Sequence, residues 1–207
     1  INLKGKVFES DEFESLSRKL VGRNAAGRDS SFEIGFVDEV VRLIKPFLNR
    51  SPGLTTRQLI SAFVTFSNGV KSHLIGQFTA GPIQRIEREI AETKQLRVDD
   101  PGNADTFGID LYTDVNDDLS ELESAIGKNG VQFQILVNKV AQEILQCSID
   151  YFNEHVADYE LDDEDPGPGA MGLIELARLL EPTGEVKHRL DENAPIIEEW
   201  VNEAADR

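Results

Sequence analysis

Residues 131–156 read VQFQILVNKVAQEILQCSIDYFNEHV. Apolar side chains recur every three or four residues through this stretch, which is the spacing of one face of an α-helix. They are Phe133, Leu136, Val137, Val140, Ile144, Tyr151 and Phe152. With a rise of about 1.5 Å per residue, such a helix would be roughly 40 Å long. The stretch therefore predicts the central helix of a helical bundle.

The same spacing predicts helices on both sides of this stretch. They cover residues 30–48, 56–78, 82–96, 115–126, 173–180 and 196–204. Residues 56–78 form either one helix or two short helices divided at 67–69. Pro82 predicts the first turn of its helix, because that position needs no backbone N–H. Residues 98–112 show no apolar period and predict a loop. Evidence for a strand is limited to Lys6, Val7 and Phe8, so the fold class expected is all-α.

The architecture expected is a bundle of about six to eight helices with a short C-terminal helical appendage after an acidic linker. The domains predicted are a helical bundle at residues 1–157, an acidic linker at 158–169 and a helical appendage at 170–207. Like charges and two Pro-Gly pairs argue against any folded element in the linker.

Charge is distributed unevenly along the chain. Residues 1–57 contain 10 basic and 8 acidic residues, whereas residues 148–207 contain 4 basic and 17 acidic residues. The second stretch therefore carries a net charge of −13 out of −17 for the whole chain. Such a surface repels nucleic acid and anionic membranes and attracts basic proteins. Generic solubilisation in a salt-adapted host is the alternative explanation.

The acidic surface predicted to meet a partner lies in the linker. It consists of Asp158, Glu160, Asp162, Asp163, Glu164 and Asp165. The single tryptophan, Trp200, either pins the last helix by packing or serves as an aromatic anchor on a partner surface. A second candidate contact is the basic loop around Arg23 and Arg28. Its glycine spacing resembles a phosphate-binding loop, but the lysine and hydroxyl residue which that motif requires are replaced by Arg28 and Asp29.

Residues 54–97 offer an alternative, a helix-turn-helix with phosphate contacts from basic side chains. Those side chains would be Lys71, Arg85, Arg88, Lys94 and Arg97. Acidic residues interleave with them, and ion pairs on a solvated helix face explain the pattern equally well. The negative charge of the whole chain also argues against DNA.

Three carboxylates, Glu143, Asp150 and Glu154, fall near one face of the predicted central helix. Helical di-metal proteins use inward carboxylates together with Glu-x-x-His pairs. Here Glu154 directly precedes His155, so the two side chains point about 100° apart on the helix and cannot share one ion. A solvated stripe opposite the apolar face is therefore expected, with no metal and no cofactor.

The function expected is that of a non-catalytic interaction protein, an adaptor or a subunit of a larger assembly, with a basic protein partner. Alternatives are a carboxylate- or metal-dependent enzyme or accessory subunit, a nucleic-acid-binding regulator through residues 54–97, and an acidic imitation of nucleic acid. No run is long and apolar enough to cross a membrane. The single cysteine, Cys147, favours a reducing compartment, so the location expected is cytoplasmic. Self-association is compatible with the sequence.

Overall fold

The computed structural model describes residues 30–48, 55–63, 68–157 and 165–205. Within these residues the chain forms seven α-helices and contains no strand. The helices are α1 (Ser30–Leu48), α2 (Thr56–Ala62), α3 (Asn68–Asp99), α4 (Ala104–Ile126), α5 (Val131–Ala157), α6 (Pro166–Leu179) and α7 (Gly184–Ala205), with a 3-10 helix at Pro101–Asn103. The prediction of an all-α fold is confirmed.

The described residues group into two compact units. The first contains residues 30–48, 55–63, 68–81 and 124–126, and the second contains residues 82–123, 127–157 and 165–205. This grouping differs from the predicted division at residues 157 and 170. The reason is that α6 and α7 bury apolar faces in the same unit as α5.

The core of the first unit is formed by α1, α2, residues 68–81 of α3 and the last turn of α4. Its buried side chains are Val37, Val41, Leu59, Phe63, Val70, Leu74, Phe78 and Ala125. Helix α2 begins with a capping box, in which Thr55 and Gln58 satisfy each other's backbone N–H groups at 3.2 and 3.1 Å. A polar contact also joins α1 to α3, because Asp38 Oδ1 lies 2.6 Å from His73 Nε2.

The second unit is organised around α5. Helix α6 packs along α5, α7 packs mainly on α6, and the 3-10 helix also contacts α5. The buried apolar side chains of α6 and α7 are Leu173, Ile174, Ala177, Val186, Leu190, Ala194 and Ile197. Among the described helices, we find none whose length and apolar character would allow it to cross a membrane.

The predicted loop at residues 98–112 is wrong, because α3 extends to Asp99 and α4 already begins at Ala104. Small residues hide the apolar period of this segment. Ala104 and Gly108 occupy buried positions on the same face as Leu111 and Val115. A Cβ atom on Gly108 would lie only 2.7 Å from Leu173 Cδ2, so the small residue is what allows α4 to approach α6. The sequence pattern could not show this contact.

Two predictions about proline are also wrong. Pro82 lies inside α3, which begins at Asn68, and it is buried. The Pro-Gly pairs at residues 166–169 form the first turn of α6 instead of an unfolded linker. Pro82 is tolerated because tertiary packing can outweigh one lost hydrogen bond in a helix interior. The Pro-Gly pairs are tolerated because the first turn of a helix does not need its N–H donors. Residues 158–164 of the predicted linker lie outside the described residues.

Candidate interaction surface

Asp165 is the described member of the predicted acidic surface, and it caps the N-terminus of α6. Its Oδ1 accepts a hydrogen bond from the backbone N–H of Gly167 at 2.8 Å. The same oxygen accepts a second hydrogen bond from the indole Nε1–H of Trp200 at 2.9 Å. Its Oδ2 accepts no hydrogen bond from the described residues. The carboxylate is therefore held through one oxygen by two donors of the fold. Asp158, Glu160, Asp162, Asp163 and Glu164 lie outside the described residues.

Trp200 lies in α7 and is half-buried. Its ring meets Phe152 of α5 edge to face, with the centroids 5.6 Å apart, which is a favourable aromatic geometry. Gly167 leaves room for this contact, because a Cβ atom there would lie 2.6 Å from Val201 and 3.0 Å from Trp200. Trp200 thus connects the end of α7 to the start of α6 and to α5. These contacts favour its packing role, and an anchor role on a partner surface stays a prediction.

The outer face of α7 is acidic and exposed. The buried positions of this helix are Val186, Leu190, Ala194 and Ile197, which define its inner face. Its exposed carboxylates are Glu185, Asp191, Glu192, Glu198, Glu199 and Glu203. Among them, Glu192 lies 3.3 Å from His188 and Glu198 lies 3.9 Å from Arg178. The helix therefore presents negative charge on its outer face and apolar side chains to the core.

A buried polar network connects α3, α5 and α7 in the second unit. The Nε of Arg97 donates to Glu143 Oε1 at 2.8 Å, and its Nη1 donates to Asp150 Oδ2. Gln146 Nε2 donates to the other oxygen of Asp150 at 2.8 Å. Arg189 Nη2 in turn donates to Gln146 Oε1 at 3.3 Å. The side chain of Arg97 is 8% exposed and that of Glu143 is 11% exposed, so this ion pair is inside the fold.

The network overturns the expected solvated stripe on α5. Glu143 is buried between apolar neighbours, and Asp150 is half-buried, whereas Glu154 is exposed. Burial lowers the pKa of Arg97, but the hydrogen bonds that it donates to Glu143 and Asp150 outweigh that effect and raise the pKa overall. The guanidinium therefore stays charged and compensates the two carboxylates. No cluster of three or more potential metal ligands occurs among the described residues.

Sequence reasoning missed Arg97 as the partner of these carboxylates, although one signal was present. Glu143 is three residues after Val140 and one residue before Ile144, both of which are fully buried. A carboxylate at such a position requires a buried cation, since burial of an unpaired charge is costly. The identity of that cation depends on how α3 packs against α5.

Three of the five basic side chains proposed to contact DNA are engaged by carboxylates. Arg85 Nη2 lies 2.5 Å from Asp118 Oδ1, and Arg88 Nη2 lies 2.6 Å from Glu89 Oε1. Arg97 is buried in the network described above. These contacts fit the ion-pair explanation of this segment. The basic loop with Arg23 and Arg28 lies outside the described residues.

Cys147 is fully buried on α5, next to Gly108 of α4. Desolvation by burial raises the pKa of its thiol to about 12, and the negative charge of Glu143 adds to this increase. The thiol therefore stays protonated at neutral pH and acts as a small packing group, since the thiolate is the nucleophilic form.

Comparison of the chain with protein-family models, with curated proteins and with solved structures finds no match.

Proposed function

We propose that this protein is a non-catalytic interaction protein, an adaptor or a subunit of a larger assembly, that binds a basic protein partner through its acidic C-terminal region. The observation that carries this proposal is the net charge of −13 in residues 148–207. The described carboxylates of α7 support it, because they lie on the outer face of the helix and are exposed. A reduced, buried Cys147 fits the cytoplasmic location that we also propose.

The acidic surface would attract its partner by long-range electrostatic interaction. A single exposed ion pair contributes little affinity, about 0–1 kcal/mol. Many like charges together raise the rate at which an oppositely charged partner meets the surface, and they disfavour partners of the wrong sign. We therefore expect binding of a basic polypeptide that weakens as salt is added, because salt screens exposed charges.

The carboxylate- or metal-dependent enzyme is less well supported. Its candidate ligands, Glu143 and Asp150, are held by the guanidinium of Arg97. A cation at this site would have to displace a buried arginine and leave that charge without a partner. The nucleic-acid-binding regulator loses support in a similar way, since Arg85, Arg88 and Arg97 already meet carboxylates.

The proposal is tested by binding of a fluorescent lysine- and arginine-rich peptide, measured by anisotropy at low salt. The test variant neutralises four carboxylates of the acidic segment to the corresponding amides: Asp158, Glu160, Asp162 and Asp163. The matched control neutralises four exposed carboxylates of α4: Asp110, Asp114, Asp117 and Glu123. Both variants change the net charge by the same amount. Deletion of residues 158–207 is a poorer test, because it removes α6 and α7 from the core.

We expect the test variant to bind about tenfold more weakly than the wild type, and the control to lose about twofold or less. Equal losses in the two variants would show that only total charge matters, and the proposed site would then be rejected. Absence of peptide binding by the wild type would reject the proposed function itself. Release of a captured basic protein by duplex DNA would favour the imitation of nucleic acid as the form that this function takes.

A further inference from the structure

We infer that the outer side of α5 is a docking surface for a second copy of this chain, which packs there antiparallel about a two-fold axis at Gln142. This inference goes beyond the proposed function, because it concerns side chains without charge. The surface is called the neutral face here. It consists of Val131, Ile135, Asn138, Gln142, Gln146, Ile149 and Asn153.

The neutral face is a continuous stripe along α5. Its members are three or four residues apart, so at about 100° per residue they fall within about 80° of one another around the helix. The stripe is about 33 Å long, at about 1.5 Å per residue. Val131 is 77% exposed and Ile135 is 50% exposed, and Gln142 and Asn153 are exposed as well. The stripe contains no charged residue, although 29% of the chain is charged.

Polar members of the neutral face already have partners in their own chain. Asn138 Oδ1 accepts a hydrogen bond from the backbone N–H of Thr183 at 2.8 Å. Gln146 Oε1 accepts one from Arg189 at 3.3 Å. What the stripe offers to another molecule is therefore mainly apolar surface. A basic partner would find no carboxylate among its members, so another neutral surface is the better match.

The order of residues in the stripe is nearly the same in both directions from Gln142. Ile135 and Ile149 are each seven residues from Gln142, and Asn138 and Gln146 are each four residues from it. A second copy turned antiparallel would place Ile135 of one chain opposite Ile149 of the other, and amide opposite amide. A two-fold interface requires such a self-complementary surface, because each copy uses the same patch.

The outer ends of the stripe also match when α7 is included. Val131 and Asn153 are each eleven residues from Gln142 and would face each other across the axis. Ile196 adds apolar surface near Asn153, since it lies on the same side of α7 as Arg189 and Trp200, which both contact α5. It is 61% exposed. Each end of the patch therefore presents apolar side chains to the other copy.

Charge selects this face for self-association. Two copies with a net charge of −17 each repel one another, and a contact through uncharged residues brings no carboxylates of the stripe together. Salt screens the remaining repulsion, so the dimer should become more stable as salt is added. A single pair of helices is a small interface compared with the roughly 800 Å² per partner of a stable complex, and we expect a weak dimer.

The test is sedimentation equilibrium of the full chain at micromolar to submillimolar concentration, in low and high salt. Gln142→Glu and Gln142→Lys each place like charges face to face at the axis, and we expect each to weaken the dimer about tenfold or more. An equimolar mixture of the two variants should form a heterodimer at least as stable as the wild-type dimer. The matched controls are Asn116→Glu and Asn116→Lys at an exposed position of α4, which should change the affinity about twofold or less.

A second pair of variants leaves the charge unchanged. Ile135→Ser should weaken the dimer about tenfold, because a two-fold interface loses the contact twice. Ile109→Ser on α4 is the control, and it should have no effect on the dimer. The two isoleucines are matched in exposure, at 50% and 48%. Circular dichroism confirms that each variant is folded.

A wild type that stays monomeric at every concentration and salt would overturn the inference and leave the face to a different protein. A tighter dimer in Gln142→Lys would show that total charge governs association, and an unrestored mixture would exclude the axis at Gln142. Both results overturn the proposed docking mode, as would equal effects of Ile135→Ser and Ile109→Ser.

These outcomes are independent of the proposed function. Binding of the lysine- and arginine-rich peptide should weaken with salt, whereas the dimer should strengthen. Monomeric Gln142→Glu should still bind the peptide. Absence of a dimer would therefore leave the proposed function standing, and absence of peptide binding would leave the dimer standing.

Discussion

Replacement of Arg97 by methionine tests how much the buried network stabilises the second unit. The substitution keeps most of the side-chain volume but leaves Glu143 and Asp150 without their cation. Loss of one partner from a buried ion pair costs about 3–5 kcal/mol. The lower end applies here, because the side chain of Asp150 is 26% exposed and water can solvate it in part. We expect the free energy of unfolding to fall by about 3 kcal/mol.

The measurement is urea unfolding followed by circular dichroism, together with the thermal midpoint. For a chain of this size, about 3 kcal/mol corresponds to a decrease in Tm of roughly 6–12 °C. The matched control is Arg88→Met on the same helix, where the arginine side chain is 59% exposed. We expect this control to cost about 0.5 kcal/mol or less, because exposed ion pairs contribute little.

A double-mutant cycle identifies the source of the loss. Glu143→Gln removes the charge that Arg97 compensates, so the two substitutions together should cost less than the sum of their separate effects, by about 1–3 kcal/mol. If Arg97→Met is no more destabilising than Arg88→Met, the network contributes no more than a surface pair and our reasoning about it is refuted. Additive effects in the cycle would assign the loss to the apolar part of the arginine.

Two further predictions concern the packing of α4 and α5. Gly108→Ala should lower the free energy of unfolding in urea by about 1–3 kcal/mol, because its Cβ would lie 2.7 Å from Leu173. The control Gly172→Ala, whose Cβ would have no atom within 4 Å, should raise it by about 0.5–1 kcal/mol. Equal effects of the two substitutions would contradict the close approach of α4 and α6. The pKa of Cys147 is about 12 in the folded chain, against an ordinary value of 9.0. As the pH rises, the thiol of the unfolded chain loses its proton first. The stability that the buried thiol contributes is therefore complete below pH 9 and is lost between pH 9 and about 12. In that range the free energy of unfolding should fall by about 1.4 kcal/mol per pH unit. Urea unfolding at several alkaline pH values should show this extra loss in the wild type and not in Cys147→Ala.

The sequence alone determined the helical class of the protein and the position of its central helix. Helix α5 runs from Val131 to Ala157, one residue beyond the predicted end, because its apolar period is long and contains neither glycine nor proline. Helix α4 ends at residue 126 as predicted, and Gly127 follows it with φ of 81°, a conformation that other residues rarely adopt. The charge asymmetry is likewise a property of the sequence, and its role in recognition stays a proposal.

Tertiary structure decided the features that depend on residues far apart in the chain. Gly108 gave no apolar signal, yet it lies in the helix face that packs on Leu173, which is 65 residues later. Arg97 and Glu143 are separated by 46 positions, and the sequence could not show that they pair until α3 and α5 pack together. Asp165 and Trp200 are 35 positions apart, and their hydrogen bond forms because α6 and α7 pack in one unit. Helical periodicity reports which face of each helix is apolar, whereas the partner that covers this face is set by packing between helices.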